Sequence, residues 1–206
     1  FQDQGNHAAA RTLLQSQQLA QPATGLGNQK LLLTMASATA LEDESWAKEI
    51  AGELTPSTFI DYPADLIARA ANLQADTFAL AGDPMSAAMT LILLAQTDNT
   101  ADAQQIHNRV WSLLEEVPEN ELSSASAEAI GYEAQGWLEL ASLLRTPDAG
   151  IDEQGRSIRG WQNNWPGHPA AQVLPSELQL IATLAESRPE KIALVLPLEG
   201  QIGRAS

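Results

Sequence analysis

The tripeptide Gly82-Asp83-Pro84 separates two long apolar-periodic segments, and its chemistry favours one geometry. Glycine takes the left-handed conformation that ends a helix, aspartate caps the next one, and proline suits that helix's first position. Two helices should therefore meet here at a sharp corner. A similar turn opens at Gly5-Asn6-His7, ahead of Ala8, Ala9, Ala10, Leu13 and Leu14. Leu41-Glu42-Asp43-Glu44 reads as a third, degenerate turn leading into Trp46, Ile50 and Leu54. Ala10, Ala47 and Ala87 are then equivalent small positions, 37 and 40 residues apart.

The segment before the corner, about Ala64 to Ala81, carries one apolar row at Leu66, Ala70 and Leu73 and another at Ile67, Ala71, Ala75 and Phe78. Two rows require neighbours on two sides, as in a stacked array of helical hairpins, where each repeat buries its apolar face only against the next. Thr55-Pro56-Ser57-Thr58 and Tyr62-Pro63 break the pattern and predict a linker between Leu54 and Ala64. Further on, Ile106, Val110, Leu113, Leu114 and Val117 share one helical face up to Pro118. Ile130, Ala134, Trp137, Ala141 and Leu144 repeat that spacing before Thr146-Pro147. Between Asp148 and Asn164 three glycines weaken helix by about 1 kcal/mol each relative to alanine, so a helix is expected at least in the second half. Pro166 to Ala171 reads as a turn, and a last helix runs from about Leu174 to Ser187.

The tail has a different character. Lys191-Ile192-Ala193-Leu194-Val195-Leu196-Pro197-Leu198-Glu199-Gly200 is a short continuous apolar run ending in Pro and Gly, the pattern of a strand buried on both faces of a parallel sheet. One strand cannot make a sheet, and six residues follow it. The expectation is a helical domain over residues 1–189, with 190–206 the linker and first strand of a truncated domain.

Ala and Leu dominate the apolar residues, against three Phe, two Tyr and five Trp, which favours helix. With 26 Asp and Glu against 11 Lys and Arg the formal net charge is −15. Binding nucleic acid or an anionic membrane needs clustered cations to displace counterions, so neither is an expected partner. The absence of Cys excludes disulfides, thiol catalysis and Cys-based zinc sites in these residues. No apolar run approaches the roughly 18 residues that span a bilayer. The chain opens Phe1-Gln2 without Met, which reads as a trimmed start, and any targeting signal or lipid anchor upstream would lie outside these residues.

Chemistry-bearing constellations are sparse. His7, His107 and His168 lie far apart, with no partner at an established metal-ligand spacing, and no catalytic residue, metal site or cofactor is expected. His168, between Gly167 and Pro169, reads as a turn residue whose ring bonds nearby backbone, and His107 as half-exposed on its helix. Glu42-Asp43-Glu44, Glu115-Glu116 and Glu119-Asn120-Glu121 read as solvated carboxylates, favoured by the dipole where they open a helix. Trp161 and Trp165, spaced i,i+4, would form one aromatic patch. Either it packs the last hairpin against its neighbour, or it offers a platform to sugar rings.

Two resemblances add to this reading. Ala75, Phe78, Gly82, Asp83 and Ala87 fall where tetratricopeptide repeats place their small, aromatic, turn and small residues, although Gln74-Ala75 stands where that pattern has Leu-Gly. The run Trp161-Gln-Asn-Asn-Trp165-Pro166-Gly-His168-Pro169-Ala170-Ala171, then Leu174-Pro175, a helix, and the Lys191 to Gln201 strand resembles the junction in LpoA-type lipoproteins, activators of class A penicillin-binding proteins. That resemblance implies an all-α, tetratricopeptide-like superhelical array followed by a periplasmic-binding-protein-like domain. It further implies a lipid anchor in the inner leaflet of the outer membrane, a periplasmic location, a peptidoglycan synthase as partner and contacts to peptidoglycan. Trp161, Trp165, His168 and Pro169 become candidate interaction or junction residues. The implied role is that of a non-enzymatic spacer and interaction module. A lytic-transglycosylase-like helical enzyme acting on peptidoglycan and a generic tetratricopeptide adaptor are the rival functions.

Overall fold

The computed structural model describes residues 2–21, 26–98, 101–128, 131–146 and 148–187. Every regular element among them is a helix. The expected C-terminal strand lies outside the described residues, as do Ile130 and Pro147.

The three turns read from sequence each open a helix through the same device. Asn6 accepts a hydrogen bond from the Ala9 amide at 3.1 Å to start α1 (His7–Leu14). After α2 (Gly27–Ala40), Asp43 accepts from the Trp46 amide at 3.0 Å to start α3 (Glu44–Ala51). Following α4 (Ile67–Ala81), Gly82 adopts φ 82°, and Asp83 accepts from the Ser86 amide at 2.9 Å to start α5 (Pro84–Thr97). Each cap satisfies an amide that the helix itself leaves unpaired, which stabilises its helix by about 1 kcal/mol. The three alanines placed as equivalents are all buried.

Helix α4 uses both of its apolar rows. It packs on α2 and α3 on one side and on α5 on the other, with Ala70, Ala71, Ala75 and Phe78 buried between them. This nearest-neighbour stacking is what a helical-hairpin array requires. The helix begins at Ile67 rather than Ala64, because the residues after Pro63 form a turn in which the Leu66 amide bonds the Pro63 carbonyl at 2.8 Å. Nor is the preceding segment a free linker. Thr58–Asp61 forms a 3-10 turn that seats Phe59 fully in the core, and the Thr55 carbonyl accepts from buried Gln74 at 2.8 Å.

Beyond the corner, α6 (Ala103–Glu116) lies along α5, and Arg109 ties it to α4 through Asp76 at 2.5 Å and Asn72 at 2.6 Å. Next come α7 (Glu119–Glu128), a polar helix anchored by Leu122, and α8 (Tyr132–Leu143). The glycine-rich stretch forms one complete helix, α9 (Ile151–Asn164). Its apolar face, Ile158 and Trp161, is wholly buried, and fully burying such side chains contributes about 1.5–3 kcal/mol each. Packing on that scale outweighs the propensity loss. Gly155 is also needed where it stands, since a Cβ there would lie 2.3 Å from Ala185 Cβ of the last helix. A single-turn α10 (Pro169–Gln172) leads into α11 (Ser176–Ser187), which lies along α9. Asn108 of α6 accepts from the Ser176 amide at 2.7 Å and fixes the start of α11.

Candidate functional site

The residues singled out near the end of the chain converge on one ring system. Trp161 projects from the last turn of α9, Trp165 ends that helix, and Pro166-Gly167 turns the chain so that His168 caps α10. The His168 side chain is fully buried and surrounded by four aromatic rings: Trp161 at 5.1 Å, Trp137 at 5.7 Å, Tyr132 at 6.0 Å and Trp165 at 6.2 Å between centroids. The three tryptophans meet it edge-on or nearly so, the arrangement ring quadrupoles favour. Pro169 is the first residue of α10, exposed on one side and bordering a small cavity of about 40 Å³ beside His107 and Trp137 on the other.

The hydrogen bonds assign the imidazole's state. His168 Nδ1 accepts from the Ala170 amide at 3.1 Å, so Nε2 carries the proton and donates to the Glu133 carbonyl at 2.9 Å. A charged ring could not accept from Ala170. Burial pushes the His168 pKa down, opposed by the Glu133 carbonyl and carboxylate, and His107 pushes it down further. The site thus holds a neutral histidine. As read from sequence, the ring bonds nearby backbone, and it also reaches α8, 35 residues away in the chain.

His107 differs from its expected half-exposed state. It is buried, 5.5 Å from Trp137, and its Nδ1 donates to the Val173 carbonyl at 2.6 Å. Burial lowers its pKa, and the Val173 bond offsets part of that shift. Two histidines far apart in sequence therefore flank one tryptophan. No local signal shows this, because the register between α6 and the Pro169 segment is a tertiary property. Beneath them, Gly136 of α8 lets the cluster close: the Trp161 indole N–H donates to the Gly136 carbonyl at 2.9 Å, and a Cβ at 136 would lie 2.4 Å from the His168 ring.

Trp161 and Trp165 consequently do not form a shared exposed patch. Trp161 is enclosed and serves packing. Trp165 is half-buried, lies 4.8 Å from the ring of exposed Tyr132 at a tilt of 52°, and borders an open groove of about 510 Å³ between α7 and α8. A second groove of about 510 Å³ lies at the other end of the chain, lined by Leu14, Lys30, Trp46, Glu49, Ile50 and Glu53. At that end Asp43, expected to be solvated, is also ion-paired to Arg11, whose guanidinium sits 4.9 Å over the Trp46 ring. Among the described residues no cluster of three or more His, Asp or Glu is placed to hold a metal ion, and no helix is long and apolar enough to cross a membrane.

This chain is similar to a group of bacterial envelope proteins. The family described as "LppC putative lipoprotein" matches residues 4–206. A Vibrio antiquarius protein named penicillin-binding protein activator LpoA is 30% identical over 129 residues, 63% of this chain and 21% of the relative. The Erwinia tasmaniensis protein of the same name is 33% identical over 101 residues, 49% of this chain and 15% of the relative. The matched stretch thus spans about a fifth or less of these curated relatives. A solved structure of Haemophilus influenzae LpoA superposes on 97% of this chain and 36% of its own, with a TM-score of 0.60 at 21% identity, and shares the helical fold. With its match reaching from residue 4 to residue 206, the chain belongs to the LppC lipoprotein family.

Proposed function

We propose that this chain is a non-catalytic interaction and spacer module of a penicillin-binding protein activator. The observation that carries the reading is the family match over residues 4–206, whose relatives bear the activator name. On this reading the protein is an envelope lipoprotein in the periplasm, held in the inner leaflet of the outer membrane by an anchor upstream of Phe1. Its partner is a class A penicillin-binding protein, and its effect is on peptidoglycan transpeptidation. Residues 1–189 form a tetratricopeptide-like helical arm, and 190–206 lead into a periplasmic-binding-protein-like domain that makes the activating contact.

The packing of the helices supports a stiff arm. Each element is held by its neighbours through buried apolar faces, and α6 is fastened both back to α4 and forward to α11. Trp161, Trp165, His168 and Pro169 serve on this reading as junction residues that lock α8, α9 and α10 together, so that whatever follows α11 is presented from a fixed base. The test is replacement of residues 7–187 by a flexible Gly/Ser linker in the full-length lipoprotein. Activation of the purified synthase in detergent should persist, while activation in cells should fail for lack of reach. Loss of activation in detergent would overturn the spacer role and place an activating contact in this chain. Release of muropeptides when the chain alone meets purified peptidoglycan would instead favour the lytic-transglycosylase reading.

A further inference from the structure

The outer face of α8 forms the floor of the groove beside Trp165. Gln135, Glu139 and Ser142 follow one another at i, i+4 and i+7, a strip about 10 Å long at the α-helical rise. Their neighbours Trp137, Leu138, Leu140 and Ala141 turn the other way into the core, so the register of this polar strip is fixed by packing. Ser126 of α7 supplies the opposite wall. One end is closed by Trp165, whose position is set by its contacts with Tyr132 and His168. The groove's size falls within the roughly 300–1,000 Å³ of small-molecule sites.

From this composition we infer that the groove is a saccharide-binding site for a neutral, pyranose-bearing glycan chain. A pyranose ring presents an apolar C–H face and an equatorial rim of hydroxyls. The half-buried Trp165 indole bordering the groove is an aromatic surface suited to the first. Glu139 brings two carboxylate acceptors, which suit the second. The Ser142 hydroxyl donates to the Leu138 carbonyl at 2.8 Å, and its oxygen still accepts. Among the described residues the lining contains one carboxylate and no Lys or Arg. An anionic ligand would meet no counter-charge there and a chain of net charge −15 around it. A divalent cation would find one carboxylate where several oxygen ligands are needed. Sugar recognition thus passes from the pair first read in the sequence, Trp161 with Trp165, to Trp165 alone, because Trp161 is enclosed.

This inference goes beyond the activator reading, which needs no ligand groove, and its test involves no synthase. Chitotetraose is titrated into the chain while the indole N–H resonances of its five tryptophans are followed by NMR, Trp165 being assigned with Trp165→Phe. The Trp165 resonance should shift saturably, with those of Trp46 and Trp111 unmoved. Glu139 is not among the buried residues of the core, and far-UV circular dichroism of Glu139→Ala checks that the fold is kept. Hydrogen bonds to a charged group are worth about 1.5–3 kcal/mol, so Glu139→Ala should weaken the apparent affinity at least tenfold. No shift at the solubility limit of the sugar would overturn the proposal, and so would a shift that Glu139→Ala leaves unchanged.

Discussion

Gly136→Ala inverts the ordinary rule for glycine inside a helix. Alanine should gain about 1 kcal/mol there from propensity alone. The structure opposes that gain. A Cβ at 136 lies 2.4 Å from His168 Cδ2, 2.8 Å from its Nε2 and 3.2 Å from Trp165 Cε3, so the imidazole has to move. Overpacking of this kind costs about 1–3 kcal/mol. Moving the ring also weakens its bonds to the Glu133 carbonyl and the Ala170 amide, each worth about 1 kcal/mol net. The balance is a net loss of about 2–4 kcal/mol, or a Tm roughly 5–15 °C lower for a chain of this size. Gly160→Ala is the matched control, since a Cβ there meets nothing within 4 Å on the same kind of helix. It should stabilise by about 0.5–1 kcal/mol. Thermal unfolding followed by far-UV circular dichroism separates the two. If Gly136→Ala melts at or above the parent temperature, the close approach of α8 to His168 is not what holds this junction.

Acidification should weaken the fold through the two buried histidines. Both have a native pKa below the ordinary 6.5, so below that pH the unfolded chain binds protons that the native one refuses. Stability is full above about pH 6.5 and falls below it by about 1.4 kcal/mol per pH unit for each histidine, until the native pKa is reached. Urea unfolding at a series of pH values should show this slope, and His168→Gln should reduce it by about one proton; an unchanged slope in that variant would contradict the assignment. Asp43→Ala removes both the cap of α3 and the partner of Arg11, and should cost about 1–2 kcal/mol in the same assay. A loss below about 0.3 kcal/mol would mean that water replaces the cap fully.

What could be read from the residues was local. Asn6, Asp43, Gly82, Asp83 and Pro84 act within a few residues of themselves, and the structure uses Asn6, Asp43 and Asp83 as caps, Gly82 as the left-handed terminator and Pro84 at the first position of its helix. Strong periodicity likewise revealed α6 and α8. Helix α2 escaped notice because it starts at Gly27 without a side-chain cap and fills its core positions with Leu32, Met35, Ser37 and Ala38, a mixture with little contrast between faces. Helix α7 is short and polar, with Leu122 as its single fully buried anchor among the described residues. At the candidate site, the bonding of the His168 ring to nearby backbone was legible from its place between Gly167 and Pro169, and Trp161 and Trp165 stood out by their i,i+4 spacing. The enclosure of Trp161 and His168 was not, because Tyr132, Gly136, Trp137 and His107 come from other helices, distant in the chain.

In the proposed division of labour, this chain carries and positions an activator without itself activating. Its most direct test is peptide cross-linking by a purified class A penicillin-binding protein, measured from the muropeptides formed with no addition, with this 206-residue chain, and with the full-length lipoprotein. Stimulation is expected with the full-length protein, and a cross-linking level indistinguishable from that of the unsupplemented enzyme with the chain alone. Full stimulation by the chain alone would contradict it.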